Sequence, residues 1–283
     1  MKPIAAACAL ACLATIASAD PARENEELPL WEFGLFNVVG SLPAYRGSDE
    51  NVTYAVPLPY FVYRGKVIKA ERDNVKGLLV DWGDLVGDLS AFVHVNENDD
   101  AREGMPELAP LLFEVGPALT YYLSGKNEPE RVLLEMPVRA AVSLGADEES
   151  NLEYQGLHAR LGISYVNYRP FGFRHWELVL SLGLDVADTD FNEYFYEIGE
   201  EYVRPDRPLY DAKGGYSGFS ASATLLTRLD KNLAVRSYVR WDNISGAVFN
   251  DCPLVQAENN FMMFIAVAWK LVDSPQRAAG DPW

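Results

Sequence analysis

The feature that most constrains the fold of this chain is residues 131–144, RVLLEMPVRAAVSL, in which every second side chain is apolar. A period of two places alternate side chains on the same face of a β-strand. The apolar face holds Val132, Leu134, Met136, Val138, Ala140, Val142 and Leu144, and the other face carries Glu135 and Arg139. Strands in soluble sheets usually span about five or six residues, so this segment is unusually long.

The same pattern recurs along most of the chain and predicts about twelve strands. Their approximate spans are 31–40, 52–63, 66–71, 75–81, 85–96, 111–123, 131–144, 153–168, 174–188, 216–228, 232–242 and 261–271. At about 3.3 Å per residue and a tilt near 40°, a strand of about eleven residues rises roughly 27 Å. That height matches the apolar belt of a transmembrane barrel, which is about 25 Å tall.

The sequence therefore predicts an all-β fold, a single transmembrane antiparallel up-and-down β-barrel. The connections at one end are short, at 64–65, 82–84, 124–130, 169–173 and 229–231. Those at the other end are mostly longer, at 41–51, 97–110, 145–152, 189–215 and 243–260. Short periplasmic turns and longer extracellular loops are typical of bacterial outer-membrane barrels. The alternative, a soluble β-sandwich or lipocalin-like barrel, requires shorter strands and charged outer faces.

The chain ends have a different composition from the barrel. Residues 1–19 combine Lys2, an apolar run and a small-residue ending, which predicts a signal peptide cleaved after Ala19. A lipoprotein site at Cys12 is the alternative, but the residues before it match the motif poorly. We expect a flexible leader at 20–30, the barrel at 31–271 and a tail at 272–283. The formal net charge of −17 does not favour nucleic-acid binding.

Aromatic residues near the predicted strand ends suggest two interfacial girdles, since amphipathic rings favour the headgroup region of a bilayer. These residues are Tyr60, Phe61, Tyr63, Tyr121, Tyr165, Trp176, Trp241 and Trp269.

With the apolar face toward lipid, the opposite face of each strand lines the lumen and carries charges of both signs. The predicted lumen charge network comprises Glu114, Glu135, Arg139, His158, Arg160, Glu177, Asp185, Arg236, Arg240 and Asp242. One interpretation is a self-neutralising network that fills a narrow barrel, because buried charges need partners. The other is a polar pore with an arginine ladder for anionic solutes. A barrel of about twelve strands is intermediate between filled and open forms, so both interpretations stay open.

The sequence offers little for enzymatic chemistry. A hydrolase needs a nucleophile, a base and an orienting group. The chain has three histidines, His94, His158 and His175, and no G-x-S-x-G motif. We expect no catalytic residue, no cofactor and no metal site. Cys252, alone after signal-peptide removal, is a reactive thiol, an intermolecular link or simply a small residue in a loop in place of Ser.

Five segments together resemble the MipA/OmpV family of outer-membrane proteins over nearly the whole mature chain. They are AYRGSDE at 44–50, PLPY at 57–60, GMPELAPLLFEVGPAL at 104–119, LEMPVRAA at 134–141 and DCPLV at 251–255. The third is the most specific, and its motif residues are Gly104, Met105, Pro106, Glu107, Leu108, Gly116 and Pro117. The chain departs from the family pattern in two places. Cys252 stands where the family usually has Ser, and a tail ending at Trp283 follows the last strand, whereas the family tends to end on an aromatic residue directly after that strand.

The resemblance implies a Gram-negative outer-membrane barrel that is not an enzyme. It also implies a scaffold that joins a lytic transglycosylase to a peptidoglycan synthase, with outer-membrane lipid and lipopolysaccharide as surroundings. The alternative function is a narrow channel for small or anionic solutes. No nucleic-acid partner is expected.

Overall fold

The structure, a computed structural model, describes residues 29–64, 69–71, 74–76, 80–126, 128–144 and 152–276. The predicted signal peptide, most of the leader and Trp283 lie outside these residues. The strands are β1 (Trp31–Pro43), β2 (Asn51–Arg64), β3 (Lys69–Glu71), β4 (Asn74–Lys76), β5 (Val80–Trp82), β6 (Leu85–Val95), β7 (Leu111–Tyr122), β8 (Glu130–Leu144), β9 (Leu152–Asn167), β10 (Trp176–Ala187), β11 (Gly215–Arg228), β12 (Leu233–Asn243) and β13 (Asn259–Asp273).

One antiparallel sheet contains every one of these strands, and each strand pairs with its neighbours in sequence except β4 and β5, which do not pair with each other. β1 also pairs with β13, so the first long strand joins the last. The two edges of the sheet, β4 and β5, flank residues 77–79. At the outward end of the barrel, hydrogen bonds join the two sides of the sheet across the gap between these edges. The Glu97 amide donates to the Ala44 carbonyl (2.8 Å), and the Tyr54 hydroxyl donates to the Glu97 carboxylate (3.3 Å). The sheet is a barrel, and the predicted count of about twelve strands is confirmed.

Differences from the predicted strand boundaries are small. The predicted strand at 75–81 corresponds to β4 and β5 on either side of 77–79. The other described strand ends fall within three residues of the predicted ones.

The alternation of the sequence becomes an alternation of burial across the barrel wall. In β8, Met136 and Val138 are exposed on the outer face, whereas Leu133 and Ala141 are buried inside. In β10, Leu180, Leu182 and Leu184 are exposed in the same way. The prediction that the apolar face of these strands points toward lipid is thus confirmed for the side chains that the structure describes. The side chain of Leu144 is outside the described part.

Pro137 interrupts the hydrogen-bonded ladder, because proline has no backbone N–H to donate. Pairing between β8 and β9 is absent between Glu135 and Val138. On the other side of β8, the strand approaches β7 so closely that a Cβ at Gly116 would lie 2.0 Å from the Val138 carbonyl oxygen. Glycine is therefore required at position 116.

The predicted aromatic girdle is partly observed. Phe61, Tyr121 and Trp269 are exposed on the outer face. The prediction is wrong for Tyr60, which is only 8% exposed and packs edge-to-face on Phe36 inside the barrel, with ring centroids 5.6 Å apart. Because Phe61 points outward, its neighbour Tyr60 must point inward. The remaining described members, Tyr165, Trp176 and Trp241, are half-buried, and the Tyr63 side chain lies outside the described part.

The longest outward loop contains the helix α1 (Thr189–Tyr196), whose first turn is capped by the Asp188 side chain. Short 3-10 helices lie at Asp100–Arg102, Pro170–Gly172 and Glu200–Tyr202. Among the described residues, no helix is both long enough and apolar enough to cross a membrane.

Candidate functional site

The lumen lining divides into two sectors of opposite chemistry. The apolar sector is a cluster of buried side chains contributed mainly by β1, β2 and β13. Its buried members are Phe36, Val38, Leu42, Tyr60, Val95, Ala234, Phe264, Ala266 and Ala268. The charged sector is lined by the inward faces of β6–β12 and contains most of the predicted charge network.

Glu114 is one centre of the charged sector and is almost completely buried. One of its carboxylate oxygens lies 3.0 Å from Nδ1 of His158 and 3.6 Å from Nη1 of Arg139. The other is hydrogen-bonded to Nε2 of His94. Arg139 also donates two hydrogen bonds to the Ser90 hydroxyl. Three cationic or potentially cationic side chains thus surround this carboxylate.

Asp185 is the second centre and is fully buried. Its carboxylate lies 3.4 Å from Nε2 of His158, 3.2 Å from Nη1 of Arg160 and 3.4 Å from Nη2 of Arg46. His158 therefore bridges the two carboxylates. The Arg160 guanidinium crosses the backbone at Gly183, where a Cβ would lie only 2.2 Å from Nη2. Glycine makes room for this arginine.

Asp242 completes the charge network. Arg240 binds it in a two-pronged arrangement, with Nε 2.7 Å from one carboxylate oxygen and Nη2 2.6 Å from the other. Arg46 reaches the same carboxylate at 3.3 Å and so links Asp242 to Asp185. Each of the three carboxylates Glu114, Asp185 and Asp242 is matched by cations, as buried charges require.

The structure brings together seven of the predicted network residues: Glu114, Arg139, His158, Arg160, Asp185, Arg240 and Asp242. The others line the lumen elsewhere. Glu135 accepts a hydrogen bond from Ser164 (2.6 Å), Glu177 lies 3.8 Å from Arg228, and Arg236 lies on the inward face of β12.

Sequence reasoning missed two network residues, His94 and Arg46. His94 shares the parity of Asp88, Ser90 and Phe92 in β6, so the alternation could have placed it in the lumen. Arg46 comes from the loop between β1 and β2, where no periodic signal exists.

The outward loops fold together into a cap with its own apolar core. The loops at 44–50, 96–110, 188–214 and 244–258 contribute to it. Its fully buried members include Ile198, Ala212, Ile244 and Leu254, and the rings of Tyr196 and Phe249 stack 3.9 Å apart. From α1, Phe191 stacks on the imidazole of His158, with centroids 5.3 Å apart. The cap therefore covers the outward mouth and rests on the charge network.

Several buried polar groups in the cap are paired with one another. Asp99 accepts hydrogen bonds from Ser48 (2.5 Å) and Tyr45 (3.2 Å). Burial, and then the Asp99 carboxylate, raise the pKa of the Tyr45 hydroxyl above its ordinary value. Cys252 is buried and its thiol lies 3.3 Å from the Tyr196 carbonyl oxygen. Burial raises the pKa of this thiol to about 12, so a reactive role for Cys252 is not favoured.

Comparison with protein families shows that residues 36–271 match the model of the family described as MltA-interacting protein MipA. The chain belongs to this family. Like its relatives in the MipA family, it is a β-barrel of the outer membrane. No curated protein matches the chain.

Solved structures that resemble this MipA-family barrel are distant. An outer-membrane channel from Pseudomonas putida F1 is 11% identical with a TM-score of 0.37, covering 86% of this chain and 96% of that one. The CymD monoaromatic hydrocarbon channel is 10% identical with a TM-score of 0.35, covering 92% of both chains. The Pseudomonas putida toluene transporter TodX is 8% identical with a TM-score of 0.30, covering 94% and 97%. Likenesses this distant carry no argument about this chain.

Residues 104–110, the first part of the MipA-family segment at 104–119, belong to the cap rather than to a strand. Leu108 is buried in the cap core and Met105 packs against it. Gly104 adopts a positive φ of 79°, and the Pro106 carbonyl accepts a hydrogen bond from Arg102 (3.3 Å). Glu107 is exposed and has the only charged side chain between Gly104 and Pro110.

The last two motif residues, Gly116 and Pro117, lie within β7. Gly116 allows the close approach of β8, and Pro117 is exposed on the outer face. The motif as a whole therefore shapes one strand and one loop of the cap.

Chemically, the site neutralises charge under an apolar cover. Within the described ranges, no group of three or more His, Cys, Asp or Glu side chains is arranged to hold a metal ion. The cap core covers the outward mouth. Beneath it, three arginines of the predicted ladder are held by carboxylates: Arg139 by Glu114, Arg160 by Asp185 and Arg240 by Asp242. This arrangement does not favour the channel alternative.

Proposed function

We propose that this protein is a non-enzymatic scaffold that holds peptidoglycan-remodelling enzymes at the outer membrane. The observation that carries the proposal is the capped, ion-paired lumen, which leaves the outer surfaces of the barrel as its working surfaces. The family description, an MltA-interacting protein, supports a lytic transglycosylase as one partner. A peptidoglycan synthase is the proposed second partner.

The periplasmic turn between β9 and β10 is the surface best suited to such a partner. Its residues Phe171 and Phe173 are 77% and 54% exposed. Their rings pack around Trp176, with centroid distances of 6.3 and 5.1 Å. Exposed aromatic groups held by packing are typical anchors of protein–protein interfaces.

The backbone of this turn is strained at its tip. Phe171 has φ 57° and ψ 18°, a left-handed conformation that bulky L-residues rarely adopt. Such strain persists only where the surroundings enforce it, and it clusters at functional sites. Arg169 and Arg174 beside it are exposed, so the turn combines aromatic and cationic groups.

Binding of a purified lytic transglycosylase to the detergent-solubilised barrel tests this function. We expect micromolar or tighter binding, weakened about thirtyfold by the double substitution Phe171→Ser and Phe173→Ser, since each anchor is worth about 1 kcal/mol. The matched control is Leu209→Ser, which removes an equally exposed apolar side chain on the outward side and should leave binding unchanged. A wild-type barrel that binds neither a lytic transglycosylase nor a peptidoglycan synthase would contradict the proposal.

A further inference from the structure

A polar side chain lies inside the lipid-facing belt, at Asn37 on the outer face of β1. The residue is exposed, and its neighbours on that face are Leu35 and Val39 along the strand. Its paired residues on the adjacent strands are Pro57 and Val267, which are also apolar. No hydrogen bond joins its carboxamide to any residue that the structure describes.

The rest of the lipid-facing belt shows how unusual this position is. Along β10 the outward side chains are Trp176, Leu178, Leu180, Leu182, Leu184 and Val186, all apolar. β7 and β8 have the same character. Ser237 is a second polar residue on the outward face, and it pairs with Ile265 of β13, two residues from the partner of Asn37. Both polar positions thus flank β13 on one side of the barrel.

In hydrocarbon, a carboxamide without partners is costly, because lipid tails offer no hydrogen bonds. A serine hydroxyl can satisfy itself on a nearby backbone carbonyl of its own strand. Asparagine carries two N–H donors and an acceptor oxygen, so it needs a polar group opposite to it. A polar residue that faces lipid in this way indicates a covered surface.

The chemistry of the group points to a second copy of the same chain. A carboxamide is self-complementary, since the N–H of one can donate to the oxygen of an identical one. A two-fold axis along the membrane normal places the same residue of both copies at the same depth. Any other protein would have to supply a polar group at that depth by coincidence.

We propose that this protein forms a two-fold dimer in the outer membrane through the outer face of β13, β1 and β2. The two Asn37 carboxamides hydrogen-bond across the axis, and the exposed apolar side chains Val39, Met263 and Ile265 pack around them. The proposal does not depend on the scaffolding function, since it concerns the lipid-facing wall and not the periplasmic turns.

Site-directed cross-linking in native outer membranes tests the interface. In a Cys252→Ser background, Asn37→Cys should give a homodimer on oxidation with copper phenanthroline, whereas Leu182→Cys on β10, four strands away from β1, should not. Equal cross-linking at both positions would show random collision and overturn the proposal. A product whose mass corresponds to a different protein would overturn it in favour of a hetero-oligomer.

The hydrogen bond is tested by the dimer fraction of Asn37→Leu in lipid nanodiscs, measured by native mass spectrometry. We expect dimerisation about tenfold weaker than in wild type, equivalent to about 1.4 kcal/mol. Asn37→Leu should still fold, because the change makes the lipid face more apolar, and heat-modifiable migration checks this. An unchanged dimer fraction, or a monomeric wild type, would refute the role of Asn37.

Discussion

The charged and apolar sectors fill one lumen by different physical means. In the charged sector, Glu114 and Asp185 are held by arginines and by His158, while the lipid side of the same strands is apolar. In the apolar sector, Phe36 and Phe264 pack inside, and the lipid side carries Asn37. One barrel thus combines a sector that is stabilised by complete ion pairing with a sector that is stabilised by the packing of apolar side chains.

This difference decides how each sector should respond to a single change. A buried ion pair is costly to break, because the remaining partner keeps its charge without compensation. A packed apolar cluster loses only the transfer and cavity terms of the deleted atoms. Substitutions in the two sectors should therefore differ in how much they lower the free energy of unfolding and in how strongly they disturb the cap.

The largest effect is expected for Asp185→Ala. The change leaves His158, Arg160 and Arg46 facing one another without their shared carboxylate, which should lower the free energy of unfolding by about 4 kcal/mol. Denaturant unfolding in detergent micelles, followed by tryptophan fluorescence, measures it.

The control for this prediction is Asp81→Ala, which breaks a solvent-exposed ion pair with Lys126. We expect little change there, since exposed pairs are screened by water and salt. Equal destabilisation by the two substitutions would contradict the importance of the buried network.

A somewhat smaller effect is expected for Phe264→Ala in the apolar sector. The ring packs near Tyr238, with centroids 6.0 Å apart, and its loss leaves a cavity worth about 3 kcal/mol. The same unfolding measurement applies.

The double variant with Asp185→Ala sharpens the comparison. If the sectors act independently, the two free-energy changes should add to within about 0.5 kcal/mol. Strong non-additivity would mean that the lumen is a single coupled unit.

The smallest effect is expected for Cys252→Ser in the cap. Serine keeps a donor toward the Tyr196 carbonyl, so the free energy of unfolding should change by less than about 1 kcal/mol. Because burial raises the pKa of the thiol from 9.0 to about 12, the neutral thiol persists in the folded cap at pH 8. The stability that this pKa difference contributes to the folded state is complete below pH 9 and is lost as the pH rises from about 9 to about 12.

Maleimide labelling of Cys252 reports this state. Wild type should label at pH 8 only on unfolding. Asp185→Ala should label faster, because Asp185 holds Arg46 of the cap, whereas Phe264→Ala should label like wild type. Rapid labelling of folded wild type would contradict the buried thiol.

Much of the barrel could be predicted from the sequence because lipid imposes a strict period of two. Residues 176–186 have an apolar side chain at every outward position, and these side chains lie where the pattern places them. The same argument predicted seven members of the charge network, since each has a fixed parity in its strand. Parity gives the face of a residue, however, and not its partner across the lumen.

The apolar sector and the cap were harder to predict for two physical reasons. In β1, WEFGLFNVVGSLP, apolar side chains occupy both faces, so alternation does not separate lipid from lumen. β2, NVTYAVPLPYFVYR, also has apolar side chains on both faces, and the inward position of Tyr60 was missed for this reason. The loops have no period, so nothing in the sequence indicated that Arg46 enters the lumen or that Phe191 rests on His158.

The cap has a consequence for how this protein changes over evolution. Surface loops normally diverge independently and tolerate insertions, because few contacts constrain them. Here Tyr196 of one loop stacks on Phe249 of another, and Arg102 donates to the Phe195 carbonyl at 2.6 Å. A substitution in one outward loop must therefore be accommodated by the others. We expect the loops to vary as a correlated set, so that the face shown to the environment drifts slowly and as a whole.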